Sequence, residues 1–477
     1  MREVLSAGFA AILDRHLERA LPSDLIIWGL AGLAGMDPGL RAERLGREAR
    51  LMRGRRAILA RSMPGDSLRP NIEVAAAAAA ELLVQFQEAS WTAVPTIREA
   101  GREAMLRASF NGIFTHLDPF SRYVTPEEAQ IARDRRLGQG GVGVRLAVAR
   151  GQQVVVAAVT ADGPAAQAGI RVGDRLISVD DELVFANDLP GAGLLLEGAA
   201  QTEVTLVVQR GGRRRSVVLR RIATQVETVR SELRDGVLHM KISGFTALTS
   251  AQVTAAVEAA FGQANPPRGL VLDLRGNRGG ILTQATAIAD IFLNDGEIVS
   301  SSGRHADANR RYAASEADLI EGRPIVVMVD GRTASAAEIL AASLADRGRA
   351  AVLGTGTLGK GLVQILMPLP NGGEIQISWA RIILPGGWPL QGAGLLPALC
   401  TAGGAEAGAE ALAALRAGQQ PMGPVLARLR ALRPPVTALD AAALREICPG
   451  LEGIDRDSDF AQALVLDPKA YDAALMR

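Results

Sequence analysis

The segment Ile325–Asp346 reads IVVMVDGRTASAAEILAASLAD, and it decides the fold because it joins a strand directly to a helix. The valine-rich run from Ile325 to Asp330 has the β-branched composition of a strand. The alanine-rich run from Ala334 to Asp346 has the composition of a helix. Strand, turn and helix in this order are typical of an α/β fold.

The same alternation extends over residues 225–400 and predicts an α/β core there. Asn371-Gly372 is typical of a hairpin turn within this range. The other predicted elements are strands at 237–242, 270–274, 351–354, 365–369 and 375–384, and helices at 250–261 and 282–292.

Three further segments flank or precede this core. Residues 1–118 predict a helical region, because apolar residues recur at helical spacing from Phe9 to Leu17. Residues 128–222 predict a β-domain of short strands and glycine turns. Residues 401–477 are rich in Ala, Gly and Pro and predict a C-terminal appendage of short helices.

The composition is that of a globular multidomain protein, with 477 residues, 48% hydrophobic residues and a formal net charge of +1. Near-neutral charge and 4% aromatic residues give no reason to expect nucleic-acid binding. The longest apolar run, Leu25–Met36, is shorter than the roughly 18 residues of a membrane span. No cluster of side chains has metal-ligand spacing, so we expect neither a metal nor an organic cofactor.

Ser335 lies where the strand has turned and the helix begins. The turn exposes its side chain, and the first N–H groups of the helix favour a developing oxyanion. We therefore interpret Ser335 as a candidate nucleophile and the N–H of Ala336 as an oxyanion donor. The alternative is structural, because Ser335-Ala-Ala-Glu338 also matches the S/T-x-x-E capping box; from this motif alone the two interpretations have equal weight.

Lys360 is the candidate general base. The chain has only three lysines, at 241, 360 and 469, among 52 basic residues, so a retained lysine indicates chemistry that arginine cannot perform. Close packing between two glycines would lower its pKa toward that of a base. Gln364 follows Lys360 by four residues, so the two side chains share one face of either a strand or a helix. Gln364 would then orient the Lys360 amine. The alternative for Lys360 is a solvated loop lysine.

The glycine-rich turn Arg275–Gly280 follows the strand predicted at 270–274. Its exposed N–H groups are suited to an anion nest, and we expect Gly279 or Gly280 to donate the second hydrogen bond to the oxyanion. An ordinary strand-to-helix turn is the alternative. A phosphate loop is disfavoured, because no Lys-Ser/Thr pair follows.

A second glycine loop opens the β-domain and suggests a peptide site. The N–H groups of Gly141, Val142, Gly143 and Val144 would hold a terminal carboxylate, and the strand edge would accept an extended peptide by β-addition. A glycine-softened hairpin is the alternative.

Together these motifs make residues 110–400 resemble the tail-specific, or C-terminal-processing, serine peptidases with an inserted PDZ domain. The resemblance rests on LDPFSRY (117–123), GGVGVRL (140–146), GPAAQAGIRVGDRLISVDDE (163–182), VLDLRGNRGGIL (271–282), GRTASAAEIL (331–340), GTLGKGLVQ (356–364) and GGWPLQGAGLLP (386–397).

The resemblance implies a fold and a role for each site residue. It implies a crotonase-like/ClpP-like core with a circularly permuted PDZ domain that binds the substrate C-terminus. Ser335 is then the nucleophile, Lys360 the general base and Gln364 the residue that orients the base. Arg278 departs from the family pattern, which has proline there, and Ala398 replaces the usual aspartate. The terminal segments are expected to serve dimerisation or substrate gating.

The two cysteines and the N-terminal sequence bear on the cellular compartment of the protein. Glu3 and Asp14 interrupt any apolar export signal, whereas the resemblance implies the periplasm or envelope. Cys400 and Cys448 lack CxxC spacing and permit one disulfide, which persists in an oxidising compartment. We predict that disulfide in a periplasmic protein whose leader is absent from this sequence, with two separate thiols and a cytoplasmic location as alternatives.

We therefore predict a serine endopeptidase that acts on protein or peptide substrates through a Ser-Lys-Gln site. Two competing functions belong to other classes. A PDZ scaffold with a decayed peptidase core is disfavoured by the intact Ser335, Lys360 and Gln364. An acyl-CoA enzyme on a crotonase-like core is disfavoured by the PDZ insertion and the Ser/Lys pair.

Overall fold

The chain folds into two compact units. The structure is a computed structural model that describes residues 1–475 except 69–70, 137–138, 150, 152, 162, 224–226 and 316. The first unit comprises Met1–Tyr123, Glu227–Met367 and Ile375–Arg477, and the second comprises Val124–Val226 and Pro368–Glu374. The N-terminal helices, the α/β core and the C-terminal helices thus share the first unit.

The N-terminal segment is only partly helical, which corrects the prediction of a helical region over residues 1–118. Its helices are α1 (Arg2–Arg15), α2 (Pro22–Ala34), α3 (Ile72–Ala93), α4 (Pro95–Ala100) and α5 (Arg102–Phe114). Between α2 and α3 the chain forms a three-stranded antiparallel sheet of β1 (Leu40–Leu45), β2 (Glu48–Arg53) and β3 (Arg56–Ser62).

Two glycines explain why residues 40–62 form a sheet rather than a helix. Gly46 and Gly54 each open a two-residue hairpin turn, and both have φ of +59°. Glycine adopts this left-handed conformation without strain, and such turns match the twist of paired strands. In β2, Ala49 and Leu51 are buried and alternate with more exposed residues. This period of two is typical of a strand.

The second unit is a β-domain preceded by one helix. Strand β4 (Arg122–Val124) runs from the first unit into the second along the chain, and α6 (Pro126–Arg136) follows it. It then forms β5 (Gln139–Gly141), β6 (Val144–Ala149), β7 (Gln153–Val159), α7 (Pro164–Gln167), β8 (Arg175–Val179), β9 (Glu182–Leu183), α8 (Leu189–Leu196), β10 (Gly198–Ala199), β11 (Glu203–Arg210), β12 (Arg213–Arg220) and β13 (Ile222–Ala223). The larger sheet has the order β12-β11-β8-β7-β6, with β9 on β8, and the smaller sheet has the order β10-β5-β13.

The α/β core confirms the predicted alternation of strands and helices. In chain order it contains β14 (Val229–Arg234), β15 (Val237–Ile242), α9 (Thr249–Phe261), β16 (Leu270–Asp273), α10 (Leu282–Asp290), β17 (Glu297–Ser302), β18 (Arg310–Ala313), β19 (Ile325–Val329), α11 (Ala336–Asp346), β20 (Ala351–Gly354), β21 (Leu362–Pro368), β22 (Glu374–Ile383) and β23 (Leu399–Cys400). The main sheet has the order β14-β15-β16-β19-β20-β23, and all its pairs except β14–β15 are parallel.

The central elements of this core are buried because their sequences are apolar throughout. All five residues of β19 and all four of β20 are buried, as expected for parallel strands covered on both faces. Helix α11 is buried on every side from Ala336 to Ala345. The carboxyl ends of parallel strands meet at one edge of a sheet, where α/β proteins place their sites. The loops that follow β16, β19 and β20 therefore lie at that edge.

The C-terminal segment belongs to the core and is not an appendage, which corrects the prediction for residues 401–477. Its helices are α12 (Gly404–Arg416), α13 (Gly423–Ala431), α14 (Ala438–Ile447), α15 (Asp457–Leu466) and α16 (Pro468–Ala474). Helix α15 packs on β16 and β19, and its Phe460 and Leu464 join the main hydrophobic core. Across the described residues, no helix combines the length and apolar character needed to cross a bilayer.

Candidate active site

Ser335 occupies a strained turn at the start of α11. It is the N-cap residue, with φ of +57° and ψ of −121°. Residues with a side chain rarely adopt positive φ, and this backbone region is almost restricted to glycine. Such strain persists only where the surrounding structure holds it, and it is concentrated at functional sites.

The buried carboxylate of Asp330 holds this turn against the glycine-rich loop. Its Oδ1 accepts hydrogen bonds from the N–H of Thr333 (2.9 Å) and from the N–H of Gly276 (2.9 Å). Thr333 Oγ1 also donates to the carbonyl of Leu274 (3.0 Å). Asp330 thereby fixes the ends of β16 and β19 relative to each other.

Gly279 makes the closest approach to Ser335. A Cβ on Gly279 would lie 2.8 Å from the Cβ of Ser335 and 3.0 Å from the N of Ala336, and the φ of Gly279 is +95°. Only glycine fits such a position. The N–H of Gly279 donates to Asn277 Oδ1 (2.8 Å), so it is already engaged. Among the described hydrogen bonds none uses the N–H of Gly280, which favours Gly280 over Gly279 as an anion donor.

Glu338 connects the Ser335 turn to the Lys360 loop. This fully buried carboxylate accepts hydrogen bonds at Oε2 from the N–H of Ser335 (2.8 Å) and from the N–H of Lys360 (3.0 Å). Its Oε1 accepts from the N–H of Gly359 (2.6 Å) and from Thr357 Oγ1. Burial raises the pKa of Glu338, and these four donors oppose the rise. The capping-box residue thus contributes more than a helix cap.

Lys360 lies in a half-buried position beside an aromatic ring. Its Nζ is 5.2 Å from the centroid of the Phe120 ring. Burial, and to a smaller extent the positive charge of Arg122, lower the pKa of Lys360 from its usual value of 10.5. A lowered pKa increases the fraction of neutral amine, which is the form that accepts a proton.

Gln364 lies in β21, and its amide contacts a network other than the Lys360 amine. Its Nε2 donates to the carbonyl of Leu362 (3.0 Å) and to Ser378 Oγ (3.2 Å). No hydrogen bond joins Gln364 to Lys360 in the part of the chain that the structure describes. Ser378 Oγ in turn donates to the carboxylate of Asp118 (2.8 Å).

Residues 445–452, which we call the C-terminal strap, hold the loops before Ser335 and before Lys360. The carbonyl of Leu451 accepts hydrogen bonds from the N–H of Gly331 (2.8 Å) and from Thr355 Oγ1 (2.7 Å). Arg445 Nη2 donates to the carbonyl of Leu358 (2.6 Å). One segment of chain therefore braces both loops.

A disulfide anchors this strap. Cys400, at the end of β23, is bonded to Cys448 within the strap, with a Cα–Cα distance of 6.2 Å. Close packing reinforces the anchor, because a Cβ on Gly356 would lie 2.5 Å from the carbonyl of Cys448.

We expect loss of this disulfide to lower both stability and activity. A Cys400→Ser/Cys448→Ser variant should lose about 4 kcal/mol of unfolding free energy, because the bond closes a 48-residue loop. Its activity should fall because the strap no longer braces both loops. Denaturant unfolding and peptide turnover measure the two effects. A reducing agent should cause the same losses of stability and activity in the parent protein and should leave the double variant unchanged. Equal stability of the unreduced parent protein and the double variant would contradict this expectation.

The loop Gly141–Val144 lies in the second unit, next to an edge strand. Strand β6 forms one edge of the larger sheet, and α8 packs beside it. The carbonyls of Val142 and Gly143 accept hydrogen bonds from the domain's own backbone, at 3.0 and 2.8 Å. Gly143 has φ of +74°, a conformation that favours glycine. The predicted elements of a peptide groove, a glycine loop and a strand edge, are thus adjacent.

Several residues of this site escaped the sequence interpretation. The sequence pattern identifies Glu338 only as half of a capping box, although an acidic residue inside an otherwise apolar helix indicates a buried role. Asp118 and Phe120 were noted only within a motif, and nothing in the sequence connects them to Lys360. The structure describes no group of three or more His, Cys, Asp or Glu side chains able to hold a metal ion.

Comparisons with known proteins identify the class. Residues 236–399 match peptidase family S41, and residues 155–210 match a PDZ domain. Over 302 residues the chain is 34% identical to the carboxy-terminal-processing protease of Bartonella bacilliformis, covering 62% of this chain and 69% of that protein. These matches define a serine peptidase with a PDZ domain. The chain belongs to peptidase family S41, the family of carboxy-terminal-processing proteases.

Further relatives have the same description. Over 300 residues the chain is 28% identical to the carboxy-terminal processing protease CtpA of Bacillus subtilis, covering 62% of this chain and 63% of that protein. The chain thus spans less than two thirds of the length of that relative. Among solved structures, a photosystem II D1 C-terminal processing protease is 28% identical, with a TM-score of 0.39, covering 66% of this chain and 85% of that chain.

Proposed function

We propose that this protein is a serine endopeptidase that uses Ser335 as nucleophile and Lys360 as general base, and that it selects protein substrates by their C-terminal tails. The observation that carries the proposal is the Glu338 carboxylate, which accepts the backbone N–H groups of both Ser335 and Lys360. A shared buried anchor keeps the nucleophile turn and the base loop in one fixed arrangement, which nucleophilic catalysis requires.

In the proposed acylation step, the Oγ of Ser335 forms a bond to the carbonyl carbon of the scissile peptide. The neutral amine of Lys360 takes the hydroxyl proton. The N–H groups of Ala336 and Gly280 donate hydrogen bonds to the oxyanion, while Gly279 supplies the close approach. The C–N bond then breaks, and Lys360 returns its proton to the leaving amine.

Deacylation repeats the sequence with water as nucleophile. The oxygen of the water attacks the ester carbonyl carbon of the acyl-enzyme, and Lys360 takes a proton from that water. The bond to Ser335 Oγ then breaks, and the serine recovers its hydrogen from Lys360. The carboxylic acid product leaves. The family resemblance supports Gln364 as the residue that orients the amine, although its amide nitrogen donates to Leu362 and Ser378 and not to Lys360.

We also propose that the core is crotonase-like/ClpP-like, that the PDZ domain is circularly permuted and that the protein is periplasmic. The run of parallel strands from β15 to β23 supports a crotonase-like/ClpP-like core, and the family resemblance supports a circularly permuted PDZ domain. The Cys400–Cys448 disulfide supports an oxidising compartment such as the periplasm. Self-association of the chain is also part of the proposal, and light scattering measures it directly.

Tail recognition is assigned to the groove between β6 and α8. An extended peptide would add to the β6 edge, and its terminal carboxylate would bind the N–H groups of residues 141–144. Leu194 on α8 is 66% exposed, and we propose that it contacts the last side chain of the peptide.

Binding of peptides to the full-length Ser335→Ala protein tests this assignment. We expect amidation of a peptide with an apolar C-terminus to weaken binding about tenfold, because a hydrogen-bonded charge contributes roughly 1.5–3 kcal/mol. Leu194→Asp should weaken binding as well. Val218→Asp is the matched control, because Val218 is similarly exposed but lies in β12, at the opposite edge of the sheet. Equal affinity for free and amidated peptides would refute the carboxylate site.

A further inference from the structure

The segment Asp118–Arg122, which we call the Asp118 turn, has no role in the mechanism above. The Asp118 carboxylate accepts hydrogen bonds from the N–H of Phe120 (2.8 Å), from the N–H and Oγ of Ser121, and from Nε2 of the buried His16 (2.8 Å). Burial raises the pKa of Asp118, but these hydrogen bonds outweigh it and hold the pKa well below its usual range. The carboxylate is therefore ionised, and it fixes the shape of the turn.

The turn brings the Phe120 ring against Lys360. With Nζ 5.2 Å from the ring centroid, two opposing effects act on the amine. The ring quadrupole attracts a protonated amine, whereas exclusion of water disfavours it. Burial is the largest cause of the lowered pKa of Lys360, and the Phe120 ring is part of the surface that covers the amine.

Arg122 adds a positive charge to the same environment. It lowers the pKa of Lys360 further through Coulomb repulsion. Among the described residues, charged groups that contact the Lys360 loop include Glu338, which accepts the N–H of Lys360, and Arg445, which donates to the carbonyl of Leu358. Arg122 is exposed to solvent, so dissolved salt should screen its effect on the Lys360 amine.

Asp118 also determines the orientation of Gln364. Ser378 Oγ donates its one hydrogen to Asp118, so the same oxygen acts as an acceptor for Gln364 Nε2. Nε2 donates in addition to the carbonyl of Leu362. These two hydrogen bonds hold the Gln364 amide nitrogen in place.

We propose that the Asp118 turn is a positioning element of the peptidase site, in which Phe120 shields the Lys360 amine from water, Arg122 supplies a positive charge beside it, and Asp118 fixes Gln364 through Ser378. This inference rests on the proposed function of Lys360 as the base. It assigns roles to three residues of the Asp118 turn that lie more than 200 positions before Lys360 in the sequence.

The scarcity of lysine permits a direct test on the amine. The full chain with Ser335→Ala is acetylated with acetic anhydride at a series of pH values, and labelling of Lys360 is measured by mass spectrometry. Only the neutral amine reacts, so the pH midpoint of labelling reports its pKa. Lys241 and Lys469 are the only other lysines, and they serve as internal controls.

The expected result is a higher midpoint for Lys360 when the turn is altered. Phe120→Ala should raise the midpoint by about one pH unit by admitting water, whereas Phe120→Leu keeps an apolar wall and should not raise it. Arg122→Gln should raise the midpoint at low salt, and the difference from the parent should shrink in 1 M salt, roughly the point where the screening length falls to 3 Å. The midpoints of Lys241 and Lys469 should stay constant.

The proposal that Asp118 fixes Gln364 through Ser378 is tested by peptide-cleavage kinetics of the protein that retains Ser335. Ser378→Ala should lower kcat with little change in KM, and Ser378→Thr, which restores the hydroxyl, should recover most of the loss. Unmoved Lys360 midpoints in both Phe120→Ala and Arg122→Gln would overturn the inference. Labelling does not depend on cleavage, so failure of Lys360 as the base would appear separately, as retained activity in Lys360→Arg.

Discussion

Ser335→Ala is expected to abolish peptide cleavage while the protein remains folded. Loss of a serine nucleophile in a comparable acyl-transfer enzyme lowers kcat by about 10⁶-fold, because attack, acyl transfer and proton transfer fail together. Loss of a helix N-cap costs only about 0.5–2 kcal/mol. Turnover of a fluorogenic peptide and thermal unfolding measure the two quantities. A folded Ser335→Ala protein with undiminished turnover would show that Ser335 is only a cap.

Two companion variants separate catalysis from stability. Ser335→Gly should be equally inactive but more stable than Ser335→Ala, by about 1–3 kcal/mol, because glycine adopts the positive φ without strain. Ser343→Ala is the matched control on the same helix. Its hydroxyl is buried without a hydrogen-bond partner among the described residues, so its removal should leave activity intact.

Lys360→Arg is expected to be as inactive as Lys360→Ala, with a loss of about 10²–10⁴-fold, the usual contribution of a general base. A guanidinium stays protonated at any working pH and cannot accept the hydroxyl proton. In the parent protein, kcat/KM should rise with pH through the lowered pKa of Lys360. Lys469→Arg, on the exposed surface of α16, is the matched control and should keep full activity. Activity retained by Lys360→Arg would show that positive charge alone suffices.

Lys360 should also make stability depend on pH. Its pKa is lower in the folded protein than in the unfolded chain, so unfolding takes up a proton at pH values between the two. The unfolding free energy should therefore rise with pH from the folded pKa up to about 10.5, the value of a free lysine. Lys360→Met should remove this rise, which denaturant unfolding at several pH values would detect.

The sequence predicted the core well because apolar runs and glycine turns are local signals. The bounds of β15 and β20 match the prediction, since each is a short apolar run. The sheet of β1 to β3 was missed because its strands are rich in arginine and glutamate, and only Gly46 and Gly54 indicated hairpins. The family resemblance was carried by motifs whose spacing is fixed, and the comparisons confirm it.

The sequence suggests candidate site residues only where they lie in local motifs. Ser335, Gly279 and Lys360 each lie in a short glycine-containing segment that signals a turn. The roles of Asp118 and the C-terminal strap depend on contacts between segments far apart in sequence, such as Ser378 with Asp118. Sequence periodicity and motif spacing do not indicate such contacts, so only the folded structure reveals them.

The single carboxylate of Glu338 makes the Ser335 turn and the Lys360 loop open together. A fluctuation that breaks its hydrogen bonds frees the N–H groups of Ser335, Gly359 and Lys360 at once. Segments linked in this way exchange their amide hydrogens as one cooperative unit. The protein population then divides into intact and opened molecules, with few that retain one group without the other. Measured activity should therefore be proportional to the fraction of intact molecules, because molecules with a half-formed, slowly cleaving site would be rare.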